Sequence, residues 1–338
     1  MARPRILNLS SGALGMVFVG ASVGISQRLT TAPLFTAQAI RYGAAALLLL
    51  AWSRATHAPI LRPRGREWLW LAGVAASGLV LFNVAIVRGD AHAEPAVIAV
   101  AVACVPVLLG VLGPLLERRR PRGAVVLAGL LVTAGAVLVA GAGHTDGIGI
   151  GWAVLALACE AGFTLLAVPV LPRHGAGGVS VHSVWIGTAM FAVLALATES
   201  PRAASRLSGT ELLADGYLAV FVTAAAFVLW YSAVAALGSD RVGLLTGIAP
   251  VSAAITGMLL GIRTPGPSVW AGIAVAVLGL AAGLSARPAA RPSRAEPSTE
   301  PSYRADVSRT LTPRRRPARP APAPSRPPVT AAGSPPRG

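Results

Sequence analysis

Lysine is absent from this sequence, and cysteine occurs only twice, as Cys104 and Cys159. Two thiols, each inside an apolar run, exclude a disulfide scaffold and a cysteine-based zinc site. Charge is also scarce. Only 12% of the 338 residues are charged, where a soluble domain carries about a quarter. That deficit excludes an ordinary soluble enzyme. Enzyme signatures are missing too: there is no HExxH, and the GIGIG at 147–151 lacks the preceding strand and the following GK[ST] of a phosphate loop. None of His57, His92, His144, His174 and His182 is expected deep in a helix, with His182 at a helix start, so no base is positioned beside a nucleophile or metal. The sequence therefore predicts no enzyme, no metal and no cofactor.

What remains is apolar: 54% of residues are hydrophobic and mean hydropathy is +0.66. Apolar runs fall at 6–27, 34–52, 68–87, 95–115, 123–142, 148–171, 181–198, 216–236, 242–262 and 268–286. Each has about the 17–25 residues that a helix needs to cross roughly 30 Å of hydrocarbon. They are apolar all round rather than striped, as expected where lipid and neighbouring helices are the solvent. The predicted fold is an all-α polytopic membrane protein of ten transmembrane helices. The first run is read as a helix rather than a cleaved signal.

The net charge of +16 would suit nucleic acid in a soluble protein. Here arginine sits in the loops and in a tail, so membrane topology explains it and no nucleic-acid partner is expected. With the N terminus inside, the inner side collects twelve arginines: Arg3, Arg5, Arg54, Arg62, Arg64, Arg66, Arg118, Arg119, Arg120, Arg122, Arg173 and Arg241. The outer side collects five: Arg28, Arg88, Arg202, Arg206 and Arg263. The positive-inside rule then puts both termini in the cytoplasm, in the cell membrane. Trp52, Trp68, Trp152 and Trp270 fall near helix ends, where indoles anchor at headgroup level. Residues 287–338 contain 13 prolines and 11 arginines. Such a segment cannot bury a core and reads as a disordered cytoplasmic tail.

The two halves echo each other. ACVPVLLGVLGPLLE ends the fourth run and GIAPVSAAITGMLLG the ninth; Pro106 and Pro250 are 144 apart, as are Gly135 and Gly279. Five crossings per copy turn the second copy upside down, and inverted repeats of this kind mark secondary transporters. The expected domains are 1–142 and 143–286 as the two five-helix repeats, then 287–338 as the tail. APLFTAQAIRYGAAALLLL in the second helix, VPVLLGVLGPLLERRRP in the fourth, and LWYSAVAALGSDRVGLLTGIAPVSAAITGMLLG in the eighth and ninth resemble EamA-type permeases of the drug/metabolite transporter superfamily. The resemblance implies a ten-helix exporter or importer of small metabolites such as amino acids, or of amphiphilic drugs. One departure stands out. Glu117 lies eleven residues after Pro106, as in the family, but Gly261 occupies the matching place after Pro250.

The candidate pathway follows from polar residues inside apolar spans. Glu160 is expected near mid-bilayer in the sixth helix, where a charge costs at least about 2.5–3.5 kcal/mol on insertion scales. It reads as a proton-exchanging group or as a buried structural carboxyl. Arg41 in the second helix either lines the cavity, pairing with Glu160 or an anionic substrate group, or snorkels outward. Gln38, Asn83, Trp230 and Tyr231 complete the substrate and proton pathway, or serve helix packing. Pro106 and Pro250 each remove a helical hydrogen bond and are candidate hinges or static kinks. The expected partners are a small-molecule substrate, the lipid bilayer, protons as coupling ion and a second copy of the chain as a homodimer. The competing function is a membrane scaffold or sensor with a transporter-like fold.

Overall fold

A computed structural model describes residues 2–26, 29, 32–141, 143–259, 261 and 266–285. The expected tail, 287–338, lies outside the described residues, as does Arg263. Among the described residues, ten helices are long and apolar enough to cross a membrane: α1 (Leu7–Ser26), α2 (Leu34–Ala55), α3 (Glu67–Gly89), α4 (Pro95–Leu116), α5 (Gly123–Ala140), α6 (Gly147–Leu165), α7 (Leu171–Thr198), α8 (Gly209–Leu237), α9 (Ser239–Leu259) and α10 (Pro267–Ser285). Leucines such as Leu47, Leu69, Leu196 and Leu213 stand on their outer faces, as a lipid-facing surface requires. Trp52, Trp68 and Trp270 are exposed near span ends, whereas Trp152 is half-buried.

Helix starts follow local chemistry. Pro95 begins α4 and Pro267 begins α10, where a missing N–H is harmless. Asp146 caps α6 by accepting the Gly149 N–H at 2.7 Å. Ser208 and Glu211 form a capping box at the start of α8. Three boundaries differ from expectation. α6 ends at Leu165 rather than 171. α7 begins ten residues early, at Leu171, and passes through a kink at Gly175, whose φ of 65° needs a glycine. Polar residues in that turn hid it from a hydropathy reading. They are paired inside the protein: Glu67 accepts hydrogen bonds from Arg173 and, at 3.1 Å, from His174. His174 and His182 are both buried, and because α7 starts early His182 lies eleven residues beyond its first residue, not at a helix start, against the expectation that no histidine lies deep in a helix. α8 begins at Gly209 rather than 216, because its capping box lies upstream of the apolar run.

Departures from α-helix recur at matching places in the two halves. α4 breaks at Ala103–Cys104, just before Pro106. α9 passes through a 3-10 turn at Leu244–Gly247, just before Pro250. Thr133 donates to the Ala103 carbonyl at 2.8 Å, satisfying an acceptor that the break frees. α3 contains a π segment at Ala75–Leu81 and α8 another at Leu218–Ala225. Leu81 and Ala225, which end them, are 144 apart, the same offset as Pro106 and Pro250.

The halves meet along α5 and α10. A Cβ on Gly135 would lie 2.6 Å from the Gly272 carbonyl oxygen; a Cβ on Gly279 would lie 2.8 Å from the Val132 nitrogen and 3.0 Å from the Ala128 oxygen. Backbones this close need glycine. Gly20 on α1 is pressed against Ala249 and Ser252 of α9 in the same way, whereas Gly257 has nothing within 4 Å.

Candidate functional site

Polar side chains inside the bundle form two groups. Loops 56–66, 117–122, 166–170 and 238 lie at the arginine-rich end, and loops 90–94 and 199–208 at the other. The first group lies toward the second of these ends. Arg41 is seven residues inside the Leu34 end of α2, roughly 10 Å along the axis. Its Nε–H donates to Thr223 Oγ1 in the α8 π segment at 3.1 Å, and its guanidinium carbon stands 5.2 Å from the Tyr42 ring centroid. Gln38, one turn earlier, donates to Asn83 Oδ1 on α3 at 3.1 Å. Asn83 in turn donates to the Leu79 carbonyl at 2.7 Å, an acceptor in the α3 π segment. Gln38 Oε1 is buried without a partner. Gln38, Arg41 and Asn83 thus share one region, with both π segments supplying acceptors. π turns of this kind are frequent at functional sites.

The second group lies nearer the arginine-rich end. Glu160 stands five residues before the end of α6, about 7.5 Å along the axis, off the midpoint expected from the longer span. Its side chain is half-buried. Two residues that follow it in α6 hold α8: Trp230 Nε1–H donates to Thr164 Oγ1 at 3.0 Å, and Tyr231 O–H donates to the Phe163 carbonyl at 3.1 Å. Trp230 and Tyr231 are buried, and the Tyr231 ring packs on Phe163. Their polar tips are thus satisfied by α6 itself. Among the described residues no ion pair joins Arg41 to Glu160. Each group has its own neighbours.

Pro106 stands at the second residue of the lower half of α4 and is buried; Gly129 of α5 lies beside it. Pro250 is the third residue of the last segment of α9. Both prolines therefore sit where the helix restarts, so they cost no hydrogen bond beyond those the breaks already remove. The ends of α4 and α9 at the arginine-rich side are joined beyond them. Glu117 accepts from Arg119 and from Ser239 Oγ at 3.4 Å, and Arg119 approaches Asp240 at 4.0 Å. Gly261, in the place matching Glu117, has a left-handed backbone with φ of 67°.

Asp215 was missed by the sequence reading. Asp215 lies six residues inside α8 and is 1% exposed. The pattern Ser208-x-x-Glu211 was the available signal, because a capping box starts the helix early enough to enclose it. Glu199 was missed as well. It ends α7 and caps α2, accepting the Phe35 and Thr36 N–H groups and the Thr36 hydroxyl at 2.8, 2.9 and 2.6 Å.

Ten apolar spans, two five-helix halves with matching breaks, and ionisable groups held inside the bundle define a multi-pass membrane transporter of the inverted-repeat kind. The chain belongs to the EamA-like transporter family, which residues 8–141 and 147–283 each match. It is 27% identical over 257 residues to the uncharacterized transporter YetK of Bacillus subtilis, covering 73% of this chain and 78% of that protein. It is also 27% identical over 224 residues to a probable terminal-alkyne amino-acid exporter of Streptantibioticus cattleyicolor, covering 65% and 74%. A solved crystal structure superposes with a TM-score of 0.72 at 20% identity, over 84% of this chain and 100% of that one. That likeness is one of fold. The family and these relatives are transporters, not enzymes.

Proposed function

We propose that the protein is a proton-coupled secondary exporter of small metabolites, amino acids or amphiphilic drugs among them, working by alternating access in the cell membrane. The observation that carries this reading is the pair of helix breaks before Pro106 and Pro250, at equivalent places in the two halves. Paired interruptions around a polar interior are how transporter halves rock about a central site. Residues 1–142 and 143–286 act as the rocking units, with both termini in the cytoplasm. The similarity to the probable terminal-alkyne amino-acid exporter of Streptantibioticus cattleyicolor supports amino acids as one substrate class.

In this reading Arg41, Gln38 and Asn83 form the polar wall that orients the substrate, and the buried Gln38 Oε1 is an acceptor awaiting a donor. Glu160 carries the proton at the inner half. Trp230 and Tyr231 hold α6 against α8, so that a change of charge at Glu160 is felt by both helices. The test is counterflow and pH-driven uptake of labelled amino acids in proteoliposomes. Glu160→Gln should insert at wild-type abundance, lose pH-driven transport and keep exchange that moves no net proton. A Gln variant with wild-type pH dependence removes the proton role.

A further inference from the structure

Both carboxylate oxygens of Asp215 are buried in a membrane-spanning helix and neither receives a hydrogen bond. A bare carboxylate in such a place is expensive, so the group needs a proton or a cation. The segment that carries it packs against α2. From α2, Arg41 is the charge within electrostatic reach; from its own helix, Glu211, one turn away, adds a like charge. Tyr42 of α2 stacks on Phe191, with ring centroids 5.4 Å apart. α1, which packs on the following π segment, has no ionisable side chain from Leu7 to Ser26. Arg41 is close enough to matter yet is not bonded to Asp215. Its Nε–H is given to Thr223 Oγ1 instead, and no Arg41–Asp215 ion pair forms within 4.0 Å among the described residues. A guanidinium that rests on a neutral hydroxyl beside an unbonded acid is what a protonated acid would produce.

We propose that Asp215 is a second proton-carrying carboxylate of the pathway, and that Arg41 is the cation that replaces its proton. In the state described here the acid keeps the proton and Arg41 rests on Thr223. On release, the O–H bond of Asp215 breaks and the proton passes to water at the end of the bundle where α8 begins. The electron pair stays on the carboxylate, and the Arg41 guanidinium leaves Thr223 to take it up. Glu160 and Asp215 then divide proton handling between the two halves of the membrane. Because Arg41 also stands beside Gln38 and Asn83, its movement links the proton on Asp215 to the polar wall.

This deepens the proton-coupled reading, and its test does not need the substrate. Infrared spectra of the full-length protein reconstituted in lipid, titrated with pH, report the C=O stretch of buried protonated carboxyls. Wild type is expected to show a Asp215 band that disappears as pH rises. Asp215→Asn removes that band, Asp215→Glu moves it in frequency, and Glu160→Gln leaves it in place. Should Asp215→Asn fail to fold, the frequency move in Asp215→Glu reports the same assignment. A carboxyl spectrum that is unchanged in both Asp215 variants overturns the proposal. Loss of a different band in Glu160→Gln is scored separately, so either carboxyl can fail as a proton site without the other.

Discussion

Glu199 and Thr36 are joined across two helices: the first residue after α7 receives both the N–H and the hydroxyl of the third residue of α2. No local residue caps α2, since Pro33 precedes it without a side-chain bond. The cap is supplied from 163 residues away. A carboxylate at a helix N-terminus also meets the positive end of its dipole.

Glu199→Ala should therefore destabilise the bundle by about 1 kcal/mol, the usual loss on removing a helix cap. The check is a lower melting temperature of the purified protein in detergent, with Glu199→Asp intermediate.

Gly135 and Gly272, whose added Cβ atoms would come within 2.6 Å of opposing backbone, should be the least tolerant glycines of the α5–α10 seam. Gly135→Val places a Cβ 2.6 Å from the Gly272 oxygen and should cost about 1–3 kcal/mol as overpacking. Gly257→Ala, with open space around it, should be near neutral. Monodisperse yield and melting temperature of the two variants separate these outcomes.

The loop joining α3 to α4 and the loop joining α5 to α6 are strapped together. His92 Nδ1 lies 2.9 Å from Asp146, His144 Nδ1 lies 3.2 Å from Glu94, and the Glu94 N–H donates to the His144 carbonyl. The Gly149 N–H first, and His92 second, hold the Asp146 carboxyl below the usual aspartate value of 3.8. A depressed acid contributes stability that is complete above its ordinary value and is lost as pH falls through the lowered one. Melting temperature below about pH 4 should fall more steeply in wild type than in Asp146→Asn, and the two curves should converge at the acid extreme.

Sidedness is checked with single cysteines in a Cys104→Ala, Cys159→Ala background. Ala58→Cys, in the arginine-rich loop after α2, should be protected from impermeant thiol reagents in whole cells. Ser205→Cys, between α7 and α8, should label. The reverse pattern would invert the orientation that the arginine count assigns.

Much of this architecture is legible in the sequence because lipid imposes one simple demand, an apolar run of sufficient length. The number and order of spans follow from that demand alone. It fails where polar residues are enclosed by the protein: Arg173 and His174, paired with Glu67, disguise the start of α7, and the buried, unbonded Asp215 stands outside the apolar run of α8. The π segments are invisible to hydropathy because they change hydrogen bonding, not composition. Glu160, Arg41 and Asn83 are visible as isolated polar residues. Their division into two groups is not, since it depends on which helix faces which.

The α5–α10 seam has a further consequence. Gly135 rests on Gly272, and Gly279 rests on Ala128 and Val132; Gly272 and Ala128 are themselves 144 apart. Each half offers the other the same patch it receives, which is the isologous contact of a two-fold dimer drawn inside one polypeptide. Residues 1–142 expressed alone would carry a self-complementary surface, and two copies inserted in opposite directions would present to each other the join that the intact chain makes between its halves.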